Sequence, residues 1–376
     1  MTLEWLPRDN EIRDHDLLTG RFWGKEPPCT SYEKKPILDG QGNEVPGLYS
    51  AWLTFNNPEQ HNAYTVDMIK GAIGGFCAAS NDRSVVAAVI TGAGTQSFCT
   101  GANMKDFSEY YAKRPYEFGE YVDLHMRMVD AIFDCKKPVI CRVNGIRVGG
   151  GQDVGMACDL SVSSDLAVFG QLGPERGLAS VAGSSDFLPW FLSAEDAMGN
   201  CIFSDMWSAY KMKGKNLLTT VVPVLKKDGK YIRNPLVYTE AYVRDGDIIY
   251  GEPREHADLA AGNELIKSCE IDLGLLDAEV DRLIWRFVNL FPDSLQMSID
   301  SIREKKKFFW DQSKLSKRHW LAANMMGEAF LGTTAFSTRK MTGCETIDFV
   351  KYRELIAEGV VMDNAAFAEV LATTEG

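Results

Sequence analysis

The sequence predicts an α/β protein built on a parallel sheet, and three observations carry that expectation. Short apolar runs suited to buried strands alternate with segments of helical period. The runs are Tyr49 to Phe55, Val85 to Ile90, Pro138 to Val143 and Asp159 to Ser163. Val85 to Ile90 is a short, continuous apolar run, as expected of a strand covered on both faces. The turns after them are rich in glycine, above all at Gly149-Gly150-Gly151.

Taking the chain in order, residues 1–47 are polar and carry turn signals such as Asp39-Gly40, so they read as an N-terminal extension. In 65–80, Met68, Ile69, Ala72, Ile73 and Phe76 share one helical stripe. The loop Thr91-Gly92-Ala93-Gly94 is no dinucleotide fingerprint, because Ser97 stands where a third glycine is needed and no helix opens there. Phe118, Tyr121, Val122, His125, Val129, Ile132 and Phe133 form a second stripe, which makes His125 a core or boundary histidine. Tyr110 and Tyr111 read as half-buried anchors in the loop before it. Beyond about Leu225 the pattern changes. Asp228-Gly229 and Asp245-Gly246 flank β-rich runs, Lys230 to Val243 and Asp247 to Tyr250, which predict a hairpin or small sheet over 226–262. Helices follow around Leu276 to Val288, around Leu295 to Ile302, and over about Leu315 to Leu331.

Composition narrows the function classes. The 376 residues are 45% hydrophobic, enough for a large core, and the formal charge of −12 argues against nucleic acid or an anionic membrane as partner. Nine cysteines lack CxxC or zinc spacing, so no metal site and a reducing compartment are expected. No apolar run nears the ~20 residues of a membrane span, and the acidic N-terminus has no signal-peptide core. A cytoplasmic protein is expected.

The chemistry centres on Lys137 to Asp186. A strand runs into the glycine turn, and a helix opens at Gly150 to Asp153. The first turn of a helix leaves N–H groups without intrahelical partners, which suits a developing negative charge. This is a candidate oxyanion site three residues before a carboxylate, Asp153, although three glycines also serve as packing glycines at a tight turn.

A second stretch matches it. Phe98-Cys99-Thr100-Gly101-Ala102-Asn103-Met104-Lys105, followed by Asn144-Gly145 through Gly149-Gly150-Gly151, resembles the enoyl-CoA hydratase/isomerase (crotonase) superfamily. The opening Asn56-Asn57-Pro58 and Asn62-Ala63 resemble that family's first strand and turn. The resemblance implies a crotonase-like ββα spiral core over 48–225, a β-rich insertion at 226–262, and a helical C-terminal trimerisation region over 263–376. It implies a homotrimer or homohexamer acting on an acyl-CoA thioester with water and no cofactor. The Ala102 and Gly150 N–H groups would form the oxyanion hole. His61, Ala63, Asn103, Met104 and Lys105 would lie along CoA. Lys211, Lys213 and Lys215 would either meet its phosphates or form a solvated face.

The acid–base groups depart from the family pattern. Asp153 stands where hydratases have a glutamate, and would act as a base or be merely a first-turn carboxylate favoured by the helix dipole. The hydratases' second glutamate falls at Gly173, within Phe169-Gly170-Gln171-Leu172-Gly173-Pro174-Glu175, a wording similar to the naphthoate-synthase branch. That leaves Glu175, which alternatively faces solvent, and Ser180, which alternatively is an ordinary loop serine, as candidates for a second catalytic role. The chain as a whole, with its extension and insertion, resembles the ring-opening hydrolases of that superfamily. It would add water to a cyclic enoyl thioester and then cleave a ring C–C bond in anaerobic aromatic catabolism. An ordinary hydratase or isomerase, a ring-ketone hydrolase without the hydration step, and a non-catalytic acyl-CoA-binding protein remain the alternatives.

Overall fold

The computed structural model describes Arg13, residues 23–342 and residues 347–371, the side chains of 338–342 excepted. Its architecture is two sheets wound together. Strand β1 (Cys29–Leu38) pairs antiparallel with β2 (Glu44–Asn56), and helix α1 (Val66–Asn81) follows, capped by the Thr65 hydroxyl accepting from Met68 N–H. Then come β3 (Val85–Gly92), β4 (Ser97–Cys99), a single turn α2 (Met104–Asp106) and the long α3 (Pro115–Phe133). Two compact units succeed it: β5 (Val139–Val143), β6 (Ile146–Val148) and α4 (Gly150–Ala157), then β7 (Leu160–Ser164), β8 (Val168–Gly170), α5 (Ser184–Phe191) and α6 (Ala194–Ile202). The next stretch holds β9 (Trp207–Ser208), α7 (Ala209–Gly214) and β10 (Thr220–Val222).

Each turn of the chain gives one strand to each sheet. The first sheet runs β1-β2-β3-β5-β7-β10 and the second β4-β6-β8-β9. From β2 to β10 the first sheet is parallel, and every residue of β5 is buried, which is why its sequence is apolar apart from Arg142, which pairs with Asp277 (2.6 Å). This is the expected ββα spiral. It begins earlier than the sequence indicated, because β1 lies inside the expected extension (1–47) and forms the sheet edge. Residues 1–12 and 14–22 of that extension lie outside the described residues.

The expected insertion is two separate short hairpins. Strands β11 (Leu225–Lys227) and β12 (Lys230–Ile232) turn at Asp228-Gly229, while β13 (Val243–Arg244) and β14 (Asp247–Ile248) turn at Asp245-Gly246. Within the β-rich run Lys230 to Val243 the first strand stops at Ile232, because Asn234 is drawn into the core. Its backbone N–H donates to Asp165 Oδ2 (2.7 Å) and its side chain to Asp165 O (2.8 Å).

Helix α8 (His256–Lys267), already inside the expected insertion, leads to β15 (Glu270–Ile271) and α9 (Gly274–Val288). Leu276, Val280, Leu283 and Ile284 of α9 cover the outer face of the first sheet at Trp52, Val89, Ile140 and Val162. Two helices expected after it are one, α10 (Pro292–Asn324), followed by α11 (Glu328–Thr342), α12 (Phe349–Ala357) and α13 (Asn364–Val370). Two buried cations dock α10. Arg303 binds Asp159 (Nε to Oδ1, 2.8 Å) and the carbonyls of Phe133, Cys135 and Lys137. Lys306 Nζ reaches the carbonyls of Met156 (2.7 Å), Ala157 and Cys158, capping the C-terminal end of α4. No helix among the described residues is long and apolar enough to cross a membrane.

Candidate active site

The site forms where α4 opens against the loop after β4. Two buried asparagines fix that junction. Asn144 Nδ2 donates to Gly94 O (2.8 Å) and Ser97 O (2.9 Å), and Asn62 Nδ2 to Ala93 O (2.9 Å) and Ser97 O (2.8 Å). Both therefore pin the loop between β3 and β4, which accounts for asparagine in each motif. Tyr64 N–H then donates to Gly101 O (2.9 Å) in a parallel bridge that leaves the Ala102 N–H out. Gly101 has φ +87 and lies so close to α4 that a methyl group there would sit 2.7 Å from the Gly150 nitrogen. Gly150 is the first residue of α4 and has no intrahelical acceptor. The Ala102 and Gly150 N–H groups thus stand on adjoining backbone, and neither has an acceptor among the described residues.

The expected CoA-side residues gather at the same junction. Asn103 Nδ2 donates to Gln60 Oε1 (2.9 Å) and Thr100 Oγ1 to His61 O (3.3 Å), so 60–63 and 100–105 run side by side. His61 sits in the left-handed region and is exposed, Ala63 is buried, Met104 packs against the core, and the Lys105 side chain is 65% exposed. The lysine cluster is not free for phosphate. Lys211 pairs with Glu252 (2.9 Å), Lys215 with Asp196 (2.7 Å), and Lys213 Nζ donates to Thr219 O (2.6 Å).

Asp153 lies one turn into α4 and is 4% exposed. Ser184 Oγ donates to its Oδ1 (2.5 Å), with Gln171 Nε2 at 3.5 Å. Burial pushes its carboxyl well above the ordinary range, the Ser184 hydrogen bond opposes this, and the charge of Asp186 adds to it. Such a group is a stronger base once ionised than an exposed aspartate. Gly183 presses on it from the facing loop at φ +140, where a methyl group would come 2.5 Å from Asp153 Cβ.

The other two candidates sit differently. Glu175 is exposed in the turn Pro174–Arg176, 3.7 Å from Arg176 Nη1, so it is turned to solvent. Ser180 Oγ gives its hydrogen to Cys201 O (2.8 Å), which ties it to α6. Neither is aimed at Asp153. Gly173 leaves no room for the absent glutamate, since a methyl group there would be 2.6 Å from Leu178 O.

Sequence reasoning missed Tyr64, Ser184 and Gln171. Tyr64 Oη meets His125 Nδ1 at 3.0 Å and lies over Gly150, where a methyl group would be 1.9 Å from it. His125 is buried, as expected, but it faces this junction. Gln171 lies inside the quoted segment 169–175 and Tyr64 adjoins Asn62-Ala63, and those positions were the available signal. Ser184 had none.

Paired backbone donors beside a buried carboxylate, on a ββα spiral, are the arrangement of an enzyme that stabilises a thioester enolate. Residues 50–313 match the enoyl-CoA hydratase/isomerase family model, and the chain belongs to that family. It is 58% identical to the 6-oxocyclohex-1-ene-1-carbonyl-CoA hydrolase of Syntrophus aciditrophicus (strain SB), covering 99% of this chain and 98% of that one. The protein of the same name from Thauera aromatica is 46% identical, over 93% of this chain and 92% of its own. Among solved structures, an enoyl-CoA hydratase from Bacillus halodurans superposes with a TM-score of 0.58 at 14% identity, covering 80% of this chain and 99% of that one. One from Mycobacterium avium subsp. paratuberculosis K-10 gives 0.57 at 20%, covering 78% and 96%. These two establish the fold.

Proposed function

We propose that this chain hydrolyses 6-oxocyclohex-1-ene-1-carbonyl-CoA to 3-hydroxypimeloyl-CoA, using two waters, in anaerobic aromatic degradation. The observation that carries this is 58% identity along nearly the whole of both chains, extension and insertion included. In the first step, water adds to the ring carbon β to the thioester. The electron pair passes to the thioester oxygen, held by the Ala102 and Gly150 N–H groups, and the α-carbon is then protonated. In the second, water attacks the ring ketone. The bond from that carbon to the α-carbon breaks, its electron pair returns to the same thioester oxygen, and a proton again closes the α-carbon. One oxyanion hole serves both steps. Losing one such donor typically costs about 100- to 1,000-fold in rate. Asp153 is the base for the first water.

The scheme balances with water alone and calls on no metal or redox cofactor. CoA runs along His61, Ala63, Asn103, Met104 and Lys105. The occupied lysines 211, 213 and 215 and the outward Glu175 take no part, and Ser180 is structural. The exposed apolar side chains of α10, including Met297, Ile302, Phe308, Phe309 and Trp320, support a homotrimer or homohexamer, which light scattering would distinguish.

The test is mass spectrometry of products from this ester, with crotonyl-CoA in parallel. A gain of two waters with ring opening is expected. A gain of one water only, or preferred hydration of crotonyl-CoA, would make the protein a hydratase. Ring opening only of the saturated ring ketone would make it a hydrolase without the hydration step. Binding without turnover of any ester would make it an acyl-CoA-binding protein.

A further inference from the structure

In a hydratase-type site, two acceptors hold the attacking water. Here one position is Asp153 and the other, Gly173, has no space for a side chain. A different acceptor stands at the same junction. His125 Nε2 lies 3.4 Å from Ala182 O, and a carbonyl only accepts, so Nε2 carries the ring hydrogen. Burial pushes the imidazole down to about 4, which keeps it neutral and leaves Nδ1 bare. Nδ1, 3.0 Å from Tyr64 Oη, must then receive the phenol hydrogen. The Tyr64 oxygen accordingly presents lone pairs only, beside Gly150 Cα.

Asp153 is three residues further along α4, on the same side of the helix, and such neighbours have Cβ atoms about 5–6 Å apart. One water donating two hydrogen bonds of about 2.8 Å spans acceptors at that separation. A second feature marks the place as built for something polar. Tyr121 Oη is buried with no partner among the described residues, in the neighbourhood of Tyr64 and Cys99.

We infer that Tyr64, with its hydrogen locked onto His125, replaces the missing carboxylate and holds the attacking water jointly with Asp153. As the water oxygen attacks carbon, one of its protons passes to the Asp153 carboxylate, while the other stays hydrogen-bonded to Tyr64 Oη. The electron pair moves to the thioester oxygen in the first addition. In the second it moves to the ring oxygen and then, as the C–C bond breaks, to the thioester oxygen. Asp153 returns its proton to the α-carbon. This deepens the ring-opening reading and rests on it for the second addition.

The experiment is a kinetic cycle of Tyr64→Phe, Asp153→Asn and the double variant, with 6-oxocyclohex-1-ene-1-carbonyl-CoA and with crotonyl-CoA. Tyr64→Phe should lower kcat about 100-fold, with KM within about threefold of wild type. The double variant should be no slower than Asp153→Asn alone, because both groups act on one water. His125→Gln keeps the tyrosine but releases its hydrogen, and should lower kcat about tenfold. The inference is overturned if Tyr64→Phe folds and keeps kcat within about threefold of wild type, or if the two losses multiply. If Tyr64→Phe fails to fold, an unchanged kcat in His125→Gln overturns it. Wild-type protein that hydrates crotonyl-CoA but leaves the ring ester untouched would refute the substrate assignment alone, and the crotonyl-CoA cycle then decides the role of Tyr64. No turnover of either ester would overturn both.

Discussion

Replacing Gly150 by alanine tests the geometry of the site at its tightest point. Gly150 does not occupy the left-handed region, so the substitution brings no backbone strain of its own. The new methyl group would lie 1.9 Å from Tyr64 Oη and 3.0 Å from Tyr64 Cζ. A carbon and an oxygen in contact need about 3.3 Å, so the tyrosine must retreat by more than about 1 Å. It cannot do so freely, because His125 stands 3.0 Å behind its oxygen and is itself 5% exposed. Overpacking of this kind costs about 1–3 kcal/mol of stability. A displacement of about 1 Å at the reacting centre costs about 100-fold in rate. Urea unfolding followed by circular dichroism reads the first and turnover of the ring ester reads the second. Adding Tyr64→Phe removes the 1.9 Å contact, so the double variant should recover stability to within about 1 kcal/mol of Tyr64→Phe alone. A Gly150→Ala protein with wild-type stability and rate would refute the placement of Tyr64 over the helix start.

Four further outcomes follow from the same packing. Because burial raises the Asp153 carboxyl, the folded chain keeps a proton that the unfolded chain loses above about pH 3.9. Stability therefore falls as pH rises from there to the raised native value. Asp153→Asn should slow turnover by about 100- to 10,000-fold, yet unfold at higher urea than wild type at neutral pH, with the difference gone below about pH 4. Gly183→Ala should also inactivate, by forcing a methyl group onto Asp153 Cβ at φ +140; activity within about threefold of wild type would contradict it. Arg303→Met leaves Asp159 without its cation and three carbonyls without this donor, and should cost about 3–5 kcal/mol in urea unfolding. Asp165→Ala removes the acceptor of the Asn234 and Val224 N–H groups, so limited proteolysis should cut within 226–262 faster than in wild type.

The parallel core was legible because burial on both faces leaves a local mark. The β5 and β3 runs read as strands without knowledge of their neighbours, and α1 and α3 declared their buried stripes by periodicity. The backbone donors were legible for a similar reason. Glycines at fixed spacing mark where main chain meets main chain, and Asp153 has a set position on the helix that follows. The edge strand β1 was hidden, because most of its residues are only partly buried or exposed and their sequence is largely polar. The single long α10 read as two helices because its buried residues, Arg303, Lys306, Trp310 and Leu321, are few and half of them are cations.

What the sequence by itself determined is the spiral fold, the family and the position of one carboxylate, since each is written in local spacing. Only the tertiary structure decided which polar groups face one another. It turned Glu175 to solvent and gave the Ser180 hydrogen to Cys201. It closed Lys211, Lys213 and Lys215 on partners of their own, and set Tyr64 against His125 across 61 residues of chain. The physical reason is that a hydrogen bond fixes the direction of a side chain, and that direction depends on partners far away in sequence, where residue spacing carries no information.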